Sequence, residues 1–80
     1  MGVEIDLILT RAKKPVFAIE IKSTTAIKND DAYALREFKT EYPEVEAYII
    51  SPIERPRLLE DGIEVLSWKM YFEEKLKVRQ

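Results

Sequence analysis

The sequence predicts an α/β domain: a four-stranded mixed sheet with two helices, in the order ββαββα. Three observations predict it. Two strand-like segments, 3–10 and 16–22, are joined by a link of hairpin length. A helical stripe over about 30–41 then separates the second segment from a third strand, which is the spacing of a parallel crossover. A short fourth strand leads into a serine-capped helix at the C-terminal end. The chain has 80 residues, enough for one domain spanning 1–80 and near the size where a single core supplies only a few kcal/mol.

In residues 3–10, Val3, Ile5, Leu7 and Leu9 alternate with Glu4, Asp6, Ile8 and Thr10, the period of a strand. Residues 16–22 begin apolar on both faces and turn polar on one face at Glu20 and Lys22. That pattern suits a strand covered on both sides whose end opens into a cleft. Asn29-Asp30-Asp31 reads as a helix start, with acids placed favourably against the helix dipole. Ala32, Leu35, Phe38 and Tyr42 form the apolar stripe, and Pro43 stops the helix. Residues 45–51 make the third strand, expected parallel to 16–22. With its prolines, arginines and Asp61-Gly62, the segment 52–62 reads as a loop. Residues 63–66 form the fourth strand. Ser67 caps a helix of about 68–77, with Trp68, Phe72 and Leu76 expected to face inward and Lys75, Lys77 and Arg79 suiting its C-terminal end. Only these two helices are available to cover a strand that is apolar on both faces. We therefore expect the chain to form a homodimer or to be the C-terminal part of a longer protein.

Composition removes several classes of function. The apolar share of 46% with 35% charged residues is that of an ordinary globular protein rather than a disordered one. Cysteine and histidine are both absent. That excludes disulfides, thiolate or imidazole zinc sites, and serine–histidine triads. Hydrolytic chemistry, if present, falls to carboxylates, lysine and a hard metal. The net charge of −2 and pI near 5.2 argue against strong nonspecific binding to nucleic acid. No apolar stretch is long enough for a membrane helix and no signal-peptide pattern is present, so no membrane association and a cytoplasmic setting are expected. There is no P-loop, so the chain is not expected to hydrolyse ATP itself.

The most informative constellation is Asp6, Glu20 and Lys22. Folding the hairpin about Lys13 opposes Asp6 with Glu20, Glu4 with Lys22, Ile8 with Ala18 and Thr10 with Val16. Directly opposed residues have Cβ atoms about 4.5–5.5 Å apart, and like charges placed there repel. Two carboxylates in this position need a divalent cation, a shared proton or the Lys22 ammonium to hold them together. Mg²⁺ or Mn²⁺ suits such a donor set: Asp6 and Glu20 as ligands, the Ile21 backbone carbonyl as a third, and Glu4 as a partner for Lys22 or a ligand to a second metal. Lys22 projects from the same face as Glu20 and could orient an attacking water. Elsewhere, Arg11, Lys13 and Lys14 form a basic hairpin tip, either a charged guard on a sheet edge or a phosphate contact beside the cleft. Arg55 and Arg57 read as solvated arginines or as phosphate or partner contacts, and Ser23 and Thr24 as strand-end caps or hydrogen-bond donors to a phosphate.

Gly2-Val3-Glu4-Ile5-Asp6, followed by Ile19-Glu20-Ile21-Lys22-Ser23, resembles the PD-(D/E)xK superfamily of restriction endonucleases and Holliday-junction resolvases. The same run, with Leu35-Arg36-Glu37-Phe38, Arg55-Pro56-Arg57 and Gly62-Ile63-Glu64-Val65-Leu66-Ser67-Trp68, looks like the C-terminal domain of many prokaryotic AAA+-type ATPases. The resemblance implies a restriction-endonuclease-like core lacking its first helix and strand. It also implies Mg²⁺-dependent cleavage of DNA phosphodiesters, with Asp6 and Glu20 holding metal and Lys22 assisting the water. Ile5 stands where the superfamily often has proline. The rival expectation is a non-catalytic oligomerisation or docking module attached to an ATPase.

Overall fold

A computed structural model of the chain describes residues 5–75. Five strands form one sheet: β1 (Leu7–Arg11), β2 (Lys14–Ile21), β3 (Glu46–Ile50), β4 (Arg57–Leu58) and β5 (Glu64–Leu66), in spatial order β1-β2-β3-β5-β4. Helix α1 (Tyr33–Glu41) follows a 3₁₀ turn at Asn29–Ala32, and α2 (Trp68–Glu74) follows β5. The sheet is mixed as expected. β1 and β2 are antiparallel, whereas β2, β3 and β5 run parallel.

The hairpin register follows the expectation over Leu7↔Ile19, Ile8↔Ala18 and Leu9↔Phe17, then departs from it. Thr10 pairs with Pro15 instead of Val16, and Arg11 with Lys14, leaving one extra residue in β2 as a bulge. The cause is the turn. Ala12 and Lys13 both have positive φ, 53° and 67°, the pair of left-handed residues that a two-residue hairpin loop needs. The loop is thus shorter than sequence suggests, and the bulge restores the register toward the open end.

A second departure concerns the segment read as a loop. Arg57 and Leu58 pair antiparallel with Val65 and Glu64, making a fifth strand. The chain reverses at Gly62, whose φ of 86° suits a residue without Cβ. The Leu59 N–H donates to the Ile63 carbonyl across the turn (2.9 Å). Two residues of pairing are too few to leave a periodic signal, and the flanking prolines hide it.

Alternate strand residues feed two cores. Ala18, Ala47, Ile49 and Val65 pack with Ala32, Leu35 and Phe38 on the α1 face. Phe17, Ile19, Tyr48, Ile50 and Leu66 pack with Met70 and Tyr71 on the α2 face. Ala18 and Ile19 are both fully buried, so the two helices cover the middle of β2 without a further layer. The stripe of α1 is placed correctly at Ala32, Leu35 and Phe38, but Tyr42 lies past the helix end and is exposed. In α2 the phase differs from expectation. Tyr71 is 1% exposed, while Trp68 and Phe72 are 39% and 52% exposed and stack on each other outside (5.5 Å between centroids). Tyr71 wins the interior because it meets Phe17 and Tyr48 edge-on, both at 5.8 Å. Ser67 caps this helix as expected, accepting the Met70 N–H at 3.2 Å. The expected contacts of Val3 and Glu4, and those of Leu76, Lys77 and Arg79, fall outside the described residues.

Candidate functional site

β2 reaches its C-terminal end at Glu20 and Ile21, beside the start of β1 and the loop that leads to α1. In open α/β sheets this end of the parallel strands is where ligands bind, because the connecting loops diverge there. Glu20 shares a face with Ala18, on the α1 side. The Lys22 N–H donates to the Ile50 carbonyl (2.8 Å) and extends the pairing of β2 with β3 by one residue.

Asp6 and Glu20 meet one step beyond the last ladder pair of the hairpin. The Asp6 N–H donates to Glu20 Oε1 at 3.2 Å, and the Ile21 N–H donates to Asp6 Oδ2 at 2.8 Å. Each carboxylate is therefore held by a backbone amide of the opposite segment. This exchange, which sequence reasoning did not include, helps to orient both groups through the backbone, beside the hydrogen bond between the two side chains and the charge of Lys22. It also explains why β1 stops at Leu7. The Asp6 side chain takes the Ile21 amide that a ladder carbonyl would otherwise accept, the backbone bends, and Ile5 leaves the strand pattern to pack on the α1 face. Ile5 thus lies opposite Leu7 and Leu9, not beside them as the alternation suggested.

Burial pushes the Glu20 carboxyl above its ordinary value of 4.5. The donated Asp6 N–H pulls it back, the Asp6 charge raises it, and the Lys22 charge lowers it. The net direction is upward, as for one member of a close carboxylate pair. Among the described residues, Asp6 Oδ1 and Glu20 Oε2 receive no backbone N–H, and the two carboxyl side chains also hydrogen-bond each other, which raises Glu20 further. No group of three or more acidic side chains placed to hold a metal occurs among the described residues. The donor set is two carboxylates, which suits Mg²⁺ or Mn²⁺ completing its shell with water and phosphate.

Lys22 Nζ lies 3.9 Å from Asp31 Oδ1. Asp31 belongs to the 3₁₀ turn before α1, and its Oδ2 accepts the Lys28 N–H at 2.8 Å. Sequence reading assigned Asp31 to the helix start alone; only the fold of the 23–32 loop brings it to Lys22. Ile21 contributes its N–H to the site. Thr24 accepts the Ala26 N–H at 3.0 Å in a local turn, and the buried Ser51 hydroxyl donates to the Thr24 carbonyl at 2.7 Å. Arg57 is exposed, as expected of a solvated arginine, and its Nη1 also donates to the Ile27 carbonyl at 3.1 Å.

The basic tip is not beside this site. Lys14 opens the eight-residue β2 and Lys13 lies in the turn before it, which at about 3.3 Å per residue puts them about 20 Å from Glu20. They line a shallow cavity of about 410 Å³ with Glu41, Tyr42 and Pro43. A second cavity, about 350 Å³, opens between the N-terminal ends of β3 and β5. The carboxylate pair borders neither; it sits on an open edge.

A family described as a domain of unknown function, DUF4143, matches residues 1–71. The chain belongs to that family. The match extends into the first turn of α2, so the carboxylate pair, Lys22 and Asp31 all lie within the DUF4143 region. No curated protein and no solved structure matches the chain. No described helix is long and apolar enough to cross a membrane.

Proposed function

We propose that the chain carries a nuclease-type metal site, acting on phosphodiesters of DNA with Mg²⁺ or Mn²⁺. Asp6 and Glu20 would hold the cation, with the Ile21 carbonyl as a further oxygen donor. When bound, the cation would polarise a phosphate oxygen and lower the pKa of a coordinated water. Lys22 would donate to the phosphate or to the attacking water from the same face of β2. The observation that carries this reading is the meeting of Asp6 and Glu20, each fixed by a backbone amide at the open end of β2. Preorganised acids of this kind lose little on binding a hard cation, since their orientation is already set.

The test is cleavage of plasmid and oligonucleotide DNA in Mg²⁺ or Mn²⁺ by wild type, Glu20→Ala and Lys22→Ala. We expect Glu20→Ala to abolish cleavage and Lys22→Ala to slow it by roughly 10²-fold or more. Equal rates in all three proteins, or none in any, rule the catalytic reading out.

A second reading is a non-catalytic docking or oligomerisation module attached to an AAA+-type ATPase. It is favoured by the stacked Trp68–Phe72 pair and by Leu58, which is 69% exposed. A dimer in light scattering, together with a melting temperature that ignores Mn²⁺, would select it.

A further inference from the structure

Lys22 can act on the carboxylate pair in two opposed ways. If its ammonium settles on Asp6 and Glu20, it neutralises them and competes with any cation. Held to one side, it leaves them open and still reaches a phosphate. Among the described residues its ion-pair partner is Asp31, at 3.9 Å, and no ion pair joins it to Asp6 or Glu20. Asp31 is not a loose surface acid. Its own Oδ2 is fixed by the Lys28 N–H. The adjoining Asn29 carbonyl is bound by Arg36 of α1, and Asn29 Oδ1 accepts the Glu60 N–H at 3.2 Å. Arg57 holds Ile27, and Ser51 holds Thr24. Contacts from α1, the end of β3, β4 and the β4–β5 turn thus set where the Asp31 carboxylate stands.

We propose that Asp31 is a positioning residue that keeps the Lys22 ammonium beside the Asp6–Glu20 pair rather than on it, so that the pair stays open to a hard divalent cation. The role assigned to the cation rests on the proposed function; the placement of Lys22 does not.

The experiment uses Mn²⁺ alone as probe, its affinity read from paramagnetic broadening of the Asp6 and Glu20 amide signals. The variants are Asp31→Asn, Lys22→Met and the double variant; asparagine keeps an oxygen for the Lys28 N–H. Asp31→Asn should weaken Mn²⁺ binding about two- to fivefold, the range of a partly exposed ion pair. In the Lys22→Met background the same change should leave the affinity unaltered. Equal weakening in both backgrounds would assign the effect to lost negative charge and overturn the proposal. If wild type shows no Mn²⁺ broadening, the metal reading fails, and the positioning role is decided without metal. The Lys22 Cε resonance should then shift in Asp31→Asn and shift again when Glu20→Gln is added. A Lys22 resonance indifferent to Asp31→Asn overturns the inference in either case.

Discussion

The two faces of the sheet solve the same packing problem with different side chains. On the α1 face the strands offer Ala18, Ala47, Ile49 and Val65, and the helix fills the space above them with Ala32 and the fully buried Leu35. On the α2 face the strands offer Phe17 and Tyr48, and a seven-residue helix answers with a third ring, Tyr71. Small strand residues let a helix approach closely and close the layer, whereas rings hold the helix off and pack edge to face. The α2 face accordingly keeps costs that the α1 face avoids: the buried Tyr71 hydroxyl has no hydrogen-bond partner among the described residues, and Trp68 and Phe72 remain outside. The carboxylate pair, Lys22 and Asp31 belong to the α1 side. The closed face is the one that carries the candidate chemistry.

That contrast can be broken by mutation. Leu35→Ala should cost about 2–5 kcal/mol, because the aliphatic layer has little freedom to collapse around the void. For a domain of this size that approaches unfolding, and urea denaturation reads it. A loss below about 1 kcal/mol would show the α1 face to be loosely packed. Tyr71→Phe should move stability the other way, by up to about 1 kcal/mol, since it deletes a buried hydroxyl that lacks a partner. A clear loss of stability there would reveal a partner for that oxygen. The smallest effect concerns pH. The Glu20 carboxyl is raised by burial against its opposing interactions, so the folded state binds that proton more tightly than the unfolded chain. The corresponding stability is present below the unfolded value of 4.5 and is lost as pH rises through the higher folded value. Wild type should therefore lose stability relative to Glu20→Gln over that window. A difference between the two that stays flat with pH would mean the Glu20 proton is not linked to folding.

Some of this was legible in the residues, for identifiable reasons. The alternation of β1 and the two-sided apolar run of β2 place the hairpin. Because the turn and the bulge compensate each other, an estimate centred on Lys13 still opposes Ile8 with Ala18 and brings Asp6 to Glu20. The parallel crossover through α1 is legible because a 3.6-residue stripe sits between two strand-length runs. α2 is different. With Trp68, Met70, Tyr71 and Phe72 all apolar within two turns, periodicity admits two phases, and the choice depends on the rings of β2 and β3 beneath it. Strand β4 is different again, because two paired residues carry no period at all.

The order of residues thus determined the identity of the acidic pair, the hairpin that joins its halves and the layer each strand feeds, since these depend on short-range periodicity and on a register set within about twenty residues. Tertiary structure alone decided how the pair is held and where its lysine rests. Both follow from loop closure: a bend at Asp6 frees the Ile21 amide for a carboxylate, and the braced 23–32 segment carries Asp31 to Lys22. Such contacts join backbone groups and side chains whose positions are fixed by packing elsewhere, so no local pattern records them.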